Sequence, residues 1–360
     1  MKLVDSHSTA IPKGNLDGFK VHAKYDIISG FLVFLIALPL CLGISLASGY
    51  PAVAGIFTAI IGGVVATFIS NSELSIKGPA AGLIVIALGC VQEFGFTGGV
   101  DPAKDFQAYR LALGVGVVAG AYQIILGLFR VGILVNLFPK AAIHGLLASI
   151  GIIIISKQFP VLVGLSPQGS PLELLAGIPS FLTNMNPKVG VIGITGIIIV
   201  LGYGYIKNPK LKIIPAPMLM LLITVPMGTV MAIGLEGSYT FNNQIYELGQ
   251  KFLVNVPGNL LKAVTFPDFS GVVTETGIKY TVLFAIIGSL EGVISAKAID
   301  GIDPWGRKTN LDRDLLATGI ANTMSAFIGG LPMISEIVRS KANIDNGART
   351  RFANFYHGLF

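Results

Sequence analysis

The chain has 360 residues, of which 52% are hydrophobic and only 12% charged, and its mean hydropathy is +0.74. Such a composition excludes a soluble globular domain and indicates a polytopic membrane protein. The net charge of +6 does not indicate a nucleic-acid partner, because the basic residues lie in loops beside apolar segments and form no patch interleaved with aromatic residues.

Residues 1–25 are polar and lack the apolar core of a signal peptide, so they are predicted to form a cytoplasmic tail. The predicted membrane segments of the first half are 27–47, 53–69, the half-length helix 80–91, 111–129, 133–155, 189–206 and 213–235. A polar loop follows, and then 280–296, 315–328, a second half-length helix and the start of a further segment at 351–360.

Two of these segments are interrupted in the same way. Each has a short extended run (74–76 and 331–334), a glycine-containing break and a helix too short to cross a bilayer alone. The helix 80–91 covers about 18–20 Å of a hydrocarbon core of roughly 30 Å. Two interrupted segments at corresponding places in two halves indicate an inverted-repeat transporter whose binding site lies at the breaks.

The second break carries charged residues that point to an anion site. A helix N-terminus has partial positive charge, and Arg339, one turn into the second half-helix, adds a full one. A charged side chain at membrane depth costs roughly 2.5–3.5 kcal/mol, so it faces a cavity or a partner. The alternative is an ion pair between Arg339 and Glu336, three residues earlier on the same helical face.

Two further ionisable residues lie in apolar surroundings. Glu291, in the middle of 280–296, is predicted to couple transport to a proton or Na⁺, and its alternative role is a structural partner for a hydroxyl group. Lys77, just before the first break, either reaches the cytoplasmic surface or lends charge to the cavity.

The distribution of basic residues predicts the orientation. Arg130, the cluster 207–212, residues 297–313 and residues 349–351 fall on one side of the membrane if the segments above are right. Because loops rich in Lys and Arg stay inside, the N-terminus is predicted to be cytoplasmic in a multi-pass protein of the inner or plasma membrane.

Five stretches carry a resemblance to a known family: GYPAVAGIFTAIIGG, SELSIKGPAAG, LFPKAAIHGLLASIGIIIISKQFPVLVG, SLEGVISAKAID and GGLPMISEIVRSKANIDNGART. Their order and spacing resemble those of the SulP anion transporters, the sulfate permease family to which prestin and pendrin belong. The resemblance covers residues 26–360.

The resemblance implies an all-α membrane fold of the UraA/SulP type, a seven-plus-seven inverted repeat in which two short strands lead into half-helices 3 and 10. A core domain (26–130 and 279–360) would move against a gate domain (131–235) in elevator fashion, with an extracytoplasmic loop at 236–278. The chain is then expected to be a fragment, because helices 12–14 and any STAS domain are missing from it. A homodimer is one assembly expected of such a transporter.

The resemblance also implies the residues around the anion. They come from the starts of the two half-helices and from the first helix: Pro79, Ala80, Ala81, Ser335, Glu336, Ile337, Val338 and Arg339, with Lys77, Leu40 and Ile44 beside them.

Some positions depart from the usual family pattern. Leu40 and Ile44 replace a Gln and a Tyr of many sulfate permeases and resemble the cyanobacterial bicarbonate branch. Glu336 stands where a serine is common, and Lys77 where a small or aliphatic residue is common. The anion therefore stays open between bicarbonate, sulfate and a similar oxyanion.

The predicted function is secondary active transport of a small inorganic anion, coupled to Na⁺ or H⁺ through Glu291. The alternatives are a nucleobase:cation symporter of the same fold, and an anion channel or nontransporting motor. An enzyme is not expected, since there is no nucleophile–base pair, metal-ligand spacing or nucleotide motif, and no cofactor is expected beyond the coupling ion.

Overall fold

The structure, a computed structural model, describes residues 11–132, 140–167, 169–206, 216–254 and 258–360. Its helices are α1 (Leu16–Val21), α2 (Ala23–Ala47), α3 (Val53–Val64), α4 (Ala66–Ile69), α5 (Ile84–Glu93), α6 (Pro102–Leu128), α7 (Lys140–Leu162), α8 (Pro171–Ala176), α9 (Ile178–Thr183), α10 (Pro187–Tyr203), α11 (Ala216–Val230), α12 (Glu275–Ile302), α13 (Leu311–Phe327), α14 (Ile337–Asp345) and α15 (Phe352–Leu359). Its strands are β1 (Lys77–Pro79), β2 (Gly237–Phe241), β3 (Gln244–Leu248) and β4 (Met333–Ser335).

Within the described residues, α2, α6 and α12 are each long and apolar enough to cross a membrane. The helices α10 and α11, the combined segment Val53–Ile69 and the half-helix Ala81–Glu93 are apolar but shorter. The half-helix consists of a 3₁₀ turn, Ala81–Leu83, which continues directly into α5.

The helices form two groups. In the first, α13 lies along α6, α15 packs against α2 and α3, and α12 contacts α6 and α13. Glycines permit the close approach of α6 and α13, since a Cβ at Gly319 would lie 2.6 Å from the backbone N of Ile124. The second group, α7 to α11, makes its more extensive contacts with the first at the turn Ala81–Leu83 and at α2.

The strands β1 and β4 join the two interrupted segments. They pair antiparallel, with Lys77 opposite Ser335, Gly78 opposite Ile334 and Pro79 opposite Met333. Every residue of both strands is buried, so their backbone groups need partners within the protein.

Neighbouring elements supply the remaining partners of this short sheet. The pairing is extended by Ala80 N–H to Pro332 O at 2.9 Å and Glu336 N–H to Ile76 O at 2.8 Å. The Thr58 hydroxyl accepts from Leu331 N–H at 2.7 Å, and Asn322 Oδ1 accepts from Met333 N–H at 2.6 Å. The extended backbone is therefore walled by protein, the condition under which a membrane segment tolerates it.

The predicted strand-then-half-helix pattern is confirmed in both segments, but several boundaries were wrong. The first strand, β1, begins at residue 77, whereas the predicted run began at residue 74. Its position is fixed by pairing with β4. The helix α6 begins at Pro102, not at 111, since Asp101 caps it with hydrogen bonds to Ala103 N–H and Lys104 N–H. The helix α7 runs on to Leu162, seven residues past the predicted end.

The predicted loop and the predicted tail contain secondary structure that the sequence did not indicate. The loop 236–278 contains the antiparallel hairpin of β2 and β3. The tail contains α1, and it is tied to the rest by Gly14 N–H to Glu73 Oε1 and by Arg307 Nη1 to the Pro12 carbonyl, both at 3.0 Å. The basic cluster 207–212 and the predicted segment starts at 133 and 213 lie outside the described residues.

Candidate functional site

The antiparallel crossing of β1 and β4 brings the starts of both half-helices together. From β1 the chain enters the turn Ala81–Leu83, and from β4 it enters α14, whose N-cap is Glu336. The side chain of Glu336 makes no capping hydrogen bond to α14. It faces the other half-helix instead, at the backbone N–H of Ala81. Two helix N-termini, each with partial positive charge, therefore meet at one place.

Arg339 lies on the first turn of α14, with 1% of its surface exposed. None of its three guanidinium nitrogens has a hydrogen-bond partner among the described residues, and no ion pair joins it to Glu336. The guanidinium lies against Gly78, where a Cβ would be 2.0 Å from Nη1. A buried cation normally has a paired charge, so these free donors fit a site for an anion better than the alternative ion pair.

Two carboxylates face the same place. Glu291, from the middle of α12, is 4% exposed and lies against Gly82 at the start of the first half-helix. Its carboxylate also interacts electrostatically with Glu336. Oε2 of Glu291 and Oε1 of Glu336 are buried without a hydrogen-bond partner in the described part of the chain. The predicted coupling residue therefore lies beside the predicted anion residues.

Lys77 requires a correction. Its ammonium is buried and donates to both carboxylate oxygens of Asp314 at 2.8 Å, to Thr318 Oγ1 at 3.0 Å and to Ser335 Oγ at 2.7 Å. It therefore neither reaches the cytoplasmic surface nor lends a free charge to the cavity. The ion pair ties β1 to α13 and β4, which is a structural role.

The other predicted residues divide by position. Pro79, Ala80 and Ala81 lie at the entry to the first half-helix, and Ser335 precedes the second with its hydroxyl bound to Lys77.

On α14, Ile337 is half-buried, whereas Val338 is 71% exposed. On α2, Ile44 is buried and Leu40 is 42% exposed.

Sequence reasoning missed three residues at or beside the site. Cys41 on α2 has its thiol close to the Arg339 guanidinium. Its position directly after Pro39-Leu40 was the available signal. Asp314, the partner of Lys77, lies 237 residues away in sequence, so no local pattern links them. Gly78 was noted only as a helix break, although the absence of its Cβ makes room for the guanidinium.

A family model described as "Sulfate permease family" matches residues 24–360. The bicarbonate transporter BicA of Picosynechococcus is 25% identical over 335 residues, which are 92% of this chain and 56% of that protein. Sulfate transporter 2.1 of Arabidopsis thaliana is 22% identical over 338 residues, 92% of this chain and 48% of that protein. The chain thus spans about half the length of these curated relatives, which are transporters and not enzymes.

A solved structure of the transmembrane domain of a cyanobacterium bicarbonate transporter BicA has the same fold. It matches with a TM-score of 0.73 and 22% sequence identity, over 95% of this chain and 81% of that one. The likeness supports the predicted membrane fold.

Proposed function

The chain belongs to the sulfate permease family, and from this premise we propose that it carries a small inorganic anion of the bicarbonate or sulfate class across the membrane. Relatives named for each of these anions match most of the chain. The proposal applies to the multi-pass membrane domain that residues 24–360 represent.

One observation carries the proposal: at the meeting point of two helix N-termini, the three nitrogens of the buried Arg339 guanidinium have no partner in the described part of the chain. An oxyanion would receive parallel hydrogen bonds from the guanidinium. It would also receive backbone donors from the start of the first half-helix, where Ala81 and Gly82 lie. Bicarbonate and sulfate both present oxygens that suit these donors.

We further propose that Glu291 couples the anion to a proton or Na⁺. An ionised carboxylate beside the anion would repel it by several kcal/mol at the effective dielectric of a protein interior. A cation on Glu291 removes the repulsion, so each ligand would tighten binding of the other by the same factor.

For the transport movement we propose an elevator motion of the first helix group against α7 to α11. The support is that the more extensive contacts between the two groups are confined to two places, the turn Ala81–Leu83 and α2. Since α2, β1 and the half-helices lie together in the first group, the whole site would move as one body.

Uptake by the full-length protein in liposomes tests the proposal. Labelled bicarbonate, sulfate and uracil are offered with and without a Na⁺ or pH gradient. We expect uptake of at least one of the two anions and none of uracil. Arg339→Ala should weaken anion binding more than Arg339→Lys, because each lost charged hydrogen bond is worth about 1.5–3 kcal/mol. Parent-like binding by both variants would refute the role of Arg339.

A second measurement tests the coupling residue. Glu291→Gln imitates the protonated carboxylate, so we expect exchange of anions to persist while accumulation against a gradient fails. Accumulation with an unchanged cation requirement would rule Glu291 out as a coupling residue.

The location and assembly are also proposals. We propose an inner or plasma membrane protein with a cytoplasmic N-terminus, which labelling of a cysteine introduced near residue 13 in sealed cells would test. Homodimer formation is tested by the mass of the detergent-solubilised protein. Neither outcome affects the assignment of the anion site.

A further inference from the structure

Two consecutive backbone amides at the start of the first half-helix face carboxylates of the protein itself. The Ala81 N–H faces Glu336, which comes from the N-cap of α14, and the Gly82 N–H faces Glu291, from α12. Ala81 and Gly82 are the first residues of the 3₁₀ turn, so these amides are among the free donors of a helix N-terminus. The two carboxylates therefore occupy the space in front of the donors that would hold a substrate anion, and Glu291 Oε1 would lie 2.2 Å from a Cβ at Gly82.

The charges at this place do not balance. Arg339 contributes one positive charge, while Glu291 and Glu336 contribute two negative ones when ionised. Lys77 adds nothing, since Asp314 neutralises it at 2.8 Å. Cys41 on α2 and His357 on α15 are the other titratable groups near the guanidinium, and neither is an anion partner for it.

Each carboxylate has one oxygen that remains unused. Oε2 of Glu291 and Oε1 of Glu336 are buried and have no hydrogen-bond partner among the described residues. Both oxygens lie in a region where Arg339, 1% exposed, also has free donors. Unsatisfied acceptors beside unsatisfied donors, all buried, point to ligands of both signs.

We infer that Glu336 is a second coupling carboxylate beside Glu291, and that one anion is loaded together with two monovalent cations. The anion displaces both carboxylates from the amides of Ala81 and Gly82 and takes the free donors of Arg339. Each displaced carboxylate then takes a proton or a Na⁺. This inference rests on the proposed function and specifies its stoichiometry.

The stoichiometry predicts the charge moved in one transport step. Two cations with bicarbonate carry one net positive charge, whereas two cations with sulfate carry none. Neutralising either carboxylate by substitution removes one cation from each step, so with two cations Glu291→Gln loses part of the accumulation, whereas with Glu291 as the single coupling residue it loses all of it. Replacing both leaves the anion to move alone, with its own charge.

The test measures uptake by the full-length protein in liposomes whose membrane potential is set with potassium and valinomycin. Labelled bicarbonate and sulfate are used as probes, in separate arms with a Na⁺ gradient and with a proton gradient. One net charge across about 100 mV corresponds to about 2.3 kcal/mol, which is roughly a 50-fold change in accumulation.

For the wild-type protein we expect an inside-negative potential to raise bicarbonate accumulation about 50-fold and to leave sulfate accumulation unchanged. In Glu336→Gln, bicarbonate accumulation should no longer depend on the membrane potential. The inside-negative potential should then lower sulfate accumulation about 50-fold. In the double variant Glu291→Gln/Glu336→Gln, the inside-negative potential should lower bicarbonate accumulation instead of raising it. Glu275→Gln, an exposed position at the start of α12, is the matched control and should behave like the wild type.

The outcomes separate the two levels of the hypothesis. Absence of uptake of either anion by the wild-type protein would overturn the proposed function. Uptake that is electroneutral for bicarbonate in the wild type, or unchanged in its potential dependence in Glu336→Gln, would overturn the two-cation inference alone. Because the potential dependence in the wild type, for whichever of the two anions is taken up, decides the stoichiometry, the test does not depend on the folding of any variant.

Discussion

Lys77 and Arg339 are two buried cations on either side of one short sheet, and their surroundings differ completely. Lys77 on β1 has four hydrogen bonds, two of them to the carboxylate of Asp314. Arg339 on α14 has no hydrogen-bond partner for any guanidinium nitrogen in the described part of the protein. Both side chains are 1% exposed.

The difference teaches how to tell structural charges from functional ones in a membrane domain. A buried charge is tolerated when it is paired and hydrogen-bonded, and it is costly when it is not. Lys77 meets that condition within the protein, so its charge serves the fold. Arg339 does not meet it among the described residues, so under the proposed function its charge serves binding. The comparison makes four predictions, which decrease in expected size.

The largest effect should come from breaking the pair at Lys77. Lys77→Met leaves Asp314 buried without a counter-charge, and we expect a loss of about 3–5 kcal/mol in the free energy of unfolding. Chemical denaturation in detergent measures it. The matched variant Lys77→Met/Asp314→Asn, which removes both charges, should recover most of the loss. A single variant as stable as the double one would contradict a structural role for the pair.

The second prediction concerns Arg339 and the anion. A saturating anion, at about 100 times its dissociation constant, should stabilise the wild-type protein by about 2.7 kcal/mol. Arg339→Ala should lose this anion-dependent stabilisation, because the free donors for the anion have gone. Thermal unfolding with and without sulfate or bicarbonate measures both effects. Lys77→Met/Asp314→Asn serves as the control that keeps the anion effect.

A smaller effect is expected from moving the guanidinium without changing its charge. In Gly78→Ala the new Cβ would lie 2.0 Å from Nη1 of Arg339, so the side chain must shift. We expect anion affinity to fall about tenfold, or about 1.4 kcal/mol. Gly43→Ala is the control, since a Cβ there meets nothing within 4 Å. Equal affinities for the two variants would show that the guanidinium position is unimportant.

The smallest effect should come from Ser335→Ala. The Ser335 hydroxyl binds Lys77 at 2.7 Å, so its loss should cost about 0.5–1.5 kcal/mol of stability and leave anion affinity unchanged. Thr318→Ala, which removes another hydroxyl partner of Lys77, should behave the same way. A fall in affinity for Ser335→Ala alone would restore the contact with the anion that the sequence predicted.

Much of the fold was predictable because the breaks are local. The Gly78-Pro79 and Gly329-Gly330 pairs interrupt apolar segments, and the structure has a strand and a half-helix at each: β1 contains the first pair, and β4 follows the second. The exact place of β1 was not predictable, because it depends on pairing with residues far away in sequence. The hairpin of β2 and β3 was missed although its turn carries a signal, two successive asparagines with φ of 48° and 61°.

The site was predictable where a residue contrasts with its own neighbours. Arg339 and Glu291 stand out as charges in or beside apolar stretches, and the structure brings them to one place. The role of Lys77 was not predictable, because the residue looks equally anomalous in sequence and only its distant partner Asp314 explains it. Sequence therefore finds the buried charges, while the structure decides which of them are satisfied.

The pairing of β1 with β4 also has a consequence for the order in which the protein is made. Lys77 and Ser335 are 258 residues apart in the chain, so β1 lacks its counter-charge until Asp314 has been synthesised and its strand partner until the ribosome has passed position 335. Until then, the first half of the chain has an unpaired strand edge and a lysine without its partner. Since contacts of such high sequence separation form slowly, the meeting point of the two half-helices forms late, and a chain arrested before β4 lacks it.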